Sequence, residues 1–219
     1  MPALLVALGI VGGIAAGVSS STAPHTVTVH LIRRCTHTTG CLPVGTVRAM
    51  KHETSHVWSS LDVTILWVDS ADHASAAAAD ADLKVMLEES AEPGPAWARQ
   101  RGLVLAAVHQ PETSCGPGLV RLWVTRVRRH VASIRLLGFP LASLPDSLNE
   151  LVLTRALGRA LAHEIGHYLL GTGRHRSYGL MRAQVTPQEL LEPATHARYG
   201  LDRRDREALS VCRPNRSLR

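Results

Sequence analysis

The chain is poor in aromatic residues: of 219 positions, one is Phe, three are Tyr and four are Trp. Aliphatic and alanine packing must therefore do most of the burying, and 45% hydrophobic residues suffice for one domain-sized core. Lysine is almost absent too; Lys51 and Lys84 stand alone, so the formal charge of +6 is carried by arginine. Arginine gathers at Arg126, Arg128 and Arg129 and again between Arg203 and Arg219. No nucleic-acid recognition motif accompanies these clusters, so they read as solvated surface and no nucleic-acid partner is expected. C-x-x-C spacing is missing, which removes the usual structural zinc site. No internal repeats are evident.

Charge of either sign is missing from residues 1–32, and Ala3 to Val18 is nearly continuous in apolar residues. That run falls short of the ~20 residues a membrane span needs, but it suits the core of an export signal. Ser19 to Ala23 supplies small residues for cleavage. Residues 1–23 are therefore expected to be a signal peptide or an uncleaved N-terminal anchor, with the remainder exported to a periplasmic or extracellular setting. Four cysteines agree with an oxidising compartment: Cys35 and Cys41 are close enough to staple a short loop, leaving Cys115 and Cys212 for a long-range tie. Three pairings are open to them.

Thr26 to Ile32 alternates like a strand, Val44 to Trp58 has helical spacing, and Asp62 to Val68 is again β-rich. Ala71 to Ser90, rich in alanine, is expected to be a helix. Leu103 to Val108 reads as a strand buried on both faces, and Leu119 to Val127 as another that alternates. The order β-α-β-α-β-β followed by helix describes an α/β (α+β) lobe on a mixed, mostly parallel sheet. Pro145-Asp146-Ser147 opens the next helix, with Ser147 and Glu150 at capping-box spacing. Gly158 and Gly166 each cost ~1 kcal/mol in a helix interior, a cost best explained by close approach of other atoms. After Met181 the chain is loop, with Pro187 and Pro193, until a terminal helix at Asp202 to Val211.

His163-Glu164-Ile165-Gly166-His167 lies near the end of the long helix. At about 3.6 residues per turn, histidines four apart project from one face, where two imidazoles can grip one zinc ion. Gly171 can end the helix in the left-handed conformation, and Gly173 adds freedom before His175, a third nitrogen ligand. Three protein ligands with a fourth position for water is the usual arrangement of a catalytic zinc; Glu164, beside the first ligand, is placed to act as general base on that water. Ser177-Tyr178-Gly179-Leu180-Met181 then reads as a turn carrying a methionine. Tyr178 and Tyr199 are candidate donors to an oxyanion.

Residues 163–181 resemble the metzincin clan of zinc endopeptidases, whose signature is H-E-x-x-H-x-x-G-x-x-H followed by a Met-turn. The chain reads H-E-x-x-H-x-x-x-G-x-x-x-H, one residue longer before Gly171 and one more before His175. The resemblance implies one catalytic Zn2+ held by His163, His167 and His175, with Glu164 as base and Met181 beneath the metal. It implies a protein or peptide as substrate and a single catalytic domain over 24–219, with an upper lobe (24–171) and a small lower lobe (172–219) ending in a helix. It also implies a cleft lined by an edge strand, for which Leu122 to Thr125 is the candidate, and a monomer is expected. Glu189 and Glu192 remain open as the third ligand, as in gluzincin-like sites. Two other classes fit the same residues: a zinc-binding module without turnover, and a zinc hydrolase of a non-peptide ester or amide.

Overall fold

The computed structural model describes residues 25–35, 41–69, 81–89, 105–109, 118–136 and 138–211. The expected leader, Cys115 and Cys212 lie outside them. Among the described residues no helix is long and apolar enough to cross a membrane.

Five strands form one sheet in the order β2-β1-β3-β5-β4: β1 (His25–Arg34), β2 (Val63–Asp69), β3 (Ala81–Glu88), β4 (Ala106–His109) and β5 (Gly118–Trp123). All neighbours run parallel except β4, which is antiparallel to β5 and closes that side of the sheet. The fold is thus mixed α/β on a mostly parallel sheet. Period-two alternation explains its two faces. Val27, Val29 and Leu31 of β1, Leu83, Val85 and Leu87 of β3, and Val120 and Leu122 of β5 are buried on one face. Lys84 and Arg121 alternate with them on the other, which is polar.

Two helices cover the apolar face: α1 (Val44–Ser59) and the long α3 (Asp146–Leu170), which pack on each other. Between β5 and α3 lie α2 (Val124–Ala132), the two-stranded β6 (Arg135–Leu136) and β7 (Phe139–Pro140), and a 3-10 turn at Leu141–Ser143. After α3 come three short helices, α4 (Pro187–Leu191), α5 (His196–Tyr199) and α6 (Arg203–Val211).

Several expectations are corrected. Of the helix expected over Ala71 to Ser90, Ala81 to Glu88 is instead a strand, β3, and residues 71–80 and 90 lie outside the described residues. Leu83, Val85 and Leu87 alternate, each is fully buried, and β1 and β5 supply ladder partners on both sides, so this part of the segment pairs as a central strand. The strand expected to continue to Val127 stops at Trp123, because Val124, Val127 and Val131 have helical spacing and bury the inner face of α2. Leu122 to Thr125 is therefore not an edge, since β5 is paired on both sides; among the described residues the strands with one neighbour are β2 and β4. Buried-on-both-faces also fails for β4, where Ala106 is buried but Ala107 and Val108 are half-buried.

The capping box of Ser147 and Glu150 does not form. The cap of α3 falls two residues earlier, at Pro145, whose carbonyl accepts from Leu148 and Asn149 N–H at 2.9 and 3.1 Å. Ser147 thus sits inside the first turn, and Glu150 accepts from the Thr46 hydroxyl of α1 instead. A true capping box is found at Thr186 and Glu189, opening α4.

The glycines in α3 have the reason anticipated. A Cβ on Gly158 would stand 2.7 Å from Cβ of Glu53 and 3.0 Å from the Met50 carbonyl, so α1 crosses there at backbone contact. Thr54 and Trp58 of α1 donate to the Gly158 and Ala162 carbonyls at 3.1 and 3.2 Å. Cys35 and Cys41 are joined as a disulfide, with Cα atoms 5.7 Å apart.

Candidate metal centre

Helix α3 presents His163 and His167 one turn apart, their ring centroids 4.6 Å from each other and perpendicular. The two extra residues of the spacing are absorbed separately. The first extends α3 to Leu170, after which Gly171 takes the left-handed conformation (φ 59°, ψ 30°) that ends it. The second lengthens the segment 172–175, which turns back far enough to bring His175 to the pair. Its ring lies 5.1 Å from both His163 and His167, and its Nε2 is 3.3 Å from Nε2 of His167. The three histidines form one group whose ligand nitrogens lie within 4.8 Å of one another.

What orients the rings is backbone. Nδ1 of His163 donates to the Leu180 carbonyl at 2.8 Å, and Nδ1 of His167 to the Thr172 carbonyl at 2.6 Å. With the proton fixed on Nδ1, each Nε2 keeps a lone pair directed at the common centre. The 3.3 Å approach of His175 Nε2 to His167 Nε2 is accounted for by a proton or a cation held between them. Tetrahedral zinc with Zn–N of about 2.0–2.1 Å has N···N edges of about 3.3–3.4 Å, so the observed approach fits that ion. His167 is buried, His163 is half-buried and His175 is exposed, leaving the group open on one side. Burial holds the His163 imidazole neutral down to about pH 4, aided by the neighbouring histidines and opposed by the Leu180 carbonyl. His167 is pushed the same way, again chiefly by burial.

Glu164 projects from a different side of the helix, toward β4. Burial raises its carboxyl to about 7, and a hydrogen bond from the Val108 backbone N–H opposes that rise.

Met181 lies under the helix, 1% exposed, in the notch that Gly166 leaves: a Cβ on Gly166 would overlap its sulfur. The turn that carries it is fixed at both ends. Gly179 adopts φ 74°, where a Cβ would overlap the Gly200 carbonyl, and Arg176 N–H donates to the Met181 carbonyl at 2.8 Å. The Arg176 side chain reaches α6, pairing with Asp205 at 2.6 Å and with Asp202 at 3.7 Å. The residue next to His175 is thereby tied to the last helix.

Glu189 and Glu192 are placed elsewhere. The Glu189 carboxylate is buried and spent on the Thr186 cap, on Arg182 at 2.7 Å and on Arg198 at 3.2 Å, which hold its pKa low against its desolvation. Glu192 pairs with Arg198 at 2.8 Å. Neither joins the histidine group. Of the two tyrosines, Tyr178 is 59% exposed, whereas Tyr199 is buried with Arg159 and Arg182 guanidinium groups 5.0 and 5.8 Å from its ring centre.

Cys35, Cys41 and Glu89 also lie close enough to hold an ion. There, however, the sulfurs are joined to each other, and the carboxylate of Glu89 is taken by Arg33 at 2.8 Å and by the Leu42 N–H. The residues that sequence reading missed are the carbonyls of Leu180 and Thr172, the Val108 N–H, and Arg176. Backbone groups carry no sequence signal, and the partners of Arg176 are 26 and 29 residues away in the chain. Comparison with protein-family models and with curated proteins found no match.

Proposed function

We propose that the chain is a zinc-dependent endopeptidase in which His163, His167 and His175 hold one Zn2+ and Glu164 is the general base. The observation that carries this reading is the convergence of three imidazoles, two with Nδ1 locked on carbonyls, on one centre that is open on one side. A zinc ion there would supply a Lewis acid that polarises the scissile carbonyl and acidifies water. Glu164 takes the proton from the attacking water and delivers it to the leaving amine. Its raised pKa in the metal-free protein reflects burial, and a nearby cation favours its charged form.

The surroundings support a peptide rather than a small ester. Among the described residues β4 ends the sheet, and it packs against α3, an edge along which an extended chain could lie. The order of elements also resembles the metzincin arrangement: a lobe with a sheet, the active-site helix, a methionine turn, and an irregular segment ending in a helix. The Cys35–Cys41 disulfide supports an oxidising, exported setting.

The test is zinc content together with casein or gelatin cleavage, for the chain without residues 1–23 and for Glu164→Ala. Zinc in both, with cleavage by the parent alone, is the expected result. Zinc without cleavage by the parent points to an inert binding module, and absence of zinc overturns the reading.

A further inference from the structure

His163 and His167 each donate a ring N–H to a backbone carbonyl, but His175 has no such support. Among the described residues its ring contacts are the other two histidines alone. It also stands outside regular structure, at the end of the segment 172–175. That segment is anchored at its two ends. Thr172 N–H donates to the His167 carbonyl at 3.3 Å, closing the end of α3. Beyond His175, Arg176 N–H donates to the Met181 carbonyl at 2.8 Å, and the Arg176 guanidinium forks onto Asp205, Nη2 to Oδ1 at 2.6 Å and Nε to Oδ2 at 3.2 Å. Between the anchors, a Cβ on Gly173 would meet nothing within 4 Å among the described residues, so the middle of the segment is not held by packing.

A two-pronged pairing fixes direction as well as distance. Most surface ion pairs are too loose to do so, but here the Asp205 side chain is 4% exposed and that of Arg176 28%, which takes the pair largely out of water. The acid is itself fixed in place. Asp205 N–H donates to Asp202 Oδ1 at 2.7 Å, capping α6, and Asp202 Oδ2 stands 3.7 Å from Arg176 Nε.

We propose that Asp205 is a positioning residue for the third metal ligand: by clamping Arg176 it fixes the end of the segment 172–175 and so aims His175 at the other two histidines. This rests on the proposed function and adds to it a dependence on the last helix. His163 and His167 are set by α3 and two carbonyls, whereas His175 is set by a carboxylate at the start of α6. Loss of the clamp should therefore leave the pair on α3 in place and release the third ligand.

The test is Zn2+ affinity, read by chelator competition in a double-mutant cycle of Asp205→Ala with His175→Ala. Asp205→Ala should weaken Zn2+ binding about 10–100-fold when His175 is present, as loss of an outer support of a ligand does. In the His175→Ala background there is no third ligand to aim, and the same substitution should change affinity by less than about twofold. An equal fall in both backgrounds would mean a general loosening of the fold and would overturn the proposal, as would an unchanged affinity with His175 present. If Asp205→Ala does not fold, Arg176→Ala removes the clamp from its more exposed side, and the same pattern is expected. Arg176→Lys keeps the charge without the fork and should fall between the parent and Arg176→Ala; a value no better than Arg176→Ala with both at parental affinity would again refute the role. A parent that binds no Zn2+ refutes the metal site and this role with it, whereas a parent that binds Zn2+ as tightly as its Asp205→Ala variant refutes the positioning role alone.

Discussion

Adding one methyl group at Gly166 tests how the methionine turn and the histidines are linked. In an open helix, Gly→Ala is favourable by about 1 kcal/mol. In α3 the new Cβ overlaps the sulfur of Met181, which is 1% exposed, so its thioether must repack inside the core. Overpacking of this kind costs about 1–3 kcal/mol, so Gly166→Ala should be neutral to about 2 kcal/mol destabilising in the metal-free protein. Displacement of Met181 also shifts the neighbouring Leu180 carbonyl, the acceptor of His163 Nδ1. Loss of such a support costs about 10–100-fold in metal affinity, to be read by chelator competition. In a Met181→Ala background the obstruction is gone. There the same glycine substitution should become stabilising by about 1 kcal/mol, even though Met181→Ala itself costs about 2–5 kcal/mol. Urea melts of the four proteins in EDTA read the cycle. An equal destabilisation by Gly166→Ala in both backgrounds would refute the argument that Met181 is what the glycine accommodates.

Glu189→Ala should leave zinc stoichiometry intact but lower stability by about 2 kcal/mol, below the ~3–5 of a wholly buried pair because Arg198 is half-solvated; loss of zinc instead would mean that Glu189 is a ligand. In the metal-free protein His163 and Glu164 act in opposite pH windows. The folded pKa of His163 is depressed, so its contribution is present above the ordinary value of 6.5 and lost as pH falls toward about 4, and His163→Asn should flatten that acid limb. The folded pKa of Glu164 is raised, so its contribution is present below 4.5 and lost as pH rises through about 7; Glu164→Gln should be more stable than the parent at pH 8 and equal to it near pH 4. Reduction of Cys35–Cys41, which closes a loop with a sequence separation of 6, should cost about 2 kcal/mol in thermal melts and leave zinc content unchanged.

The histidine group was legible because its geometry is local. About two turns of regular helix, a glycine able to reach φ 59° and a short return segment decide where His163, His167 and His175 point, and all of them lie within 13 consecutive residues, 163–175. The same holds for α1, β1 and β2, whose spacing alone matches their burial. Sequence reading failed where a distant partner decides. β3 follows an alanine-rich stretch yet sits mid-sheet, because β1 and β5 offer it ladders on both sides. The edge strand was misplaced because which strand lacks a second neighbour is a property of sheet order and not of any one segment.

Local chemistry in the sequence thus determined the candidate ligands, the candidate base, the turn beneath them and the α/β character of the fold, since each follows from backbone periodicity and residue type. Tertiary structure alone decided the rest. It placed Glu189 in a cap and two ion pairs instead of at the metal group, put Met181 under Gly166, and set the Val108 N–H against Glu164. Those choices depend on contacts between residues far apart in the chain, where packing and the satisfaction of buried polar groups outweigh local preference.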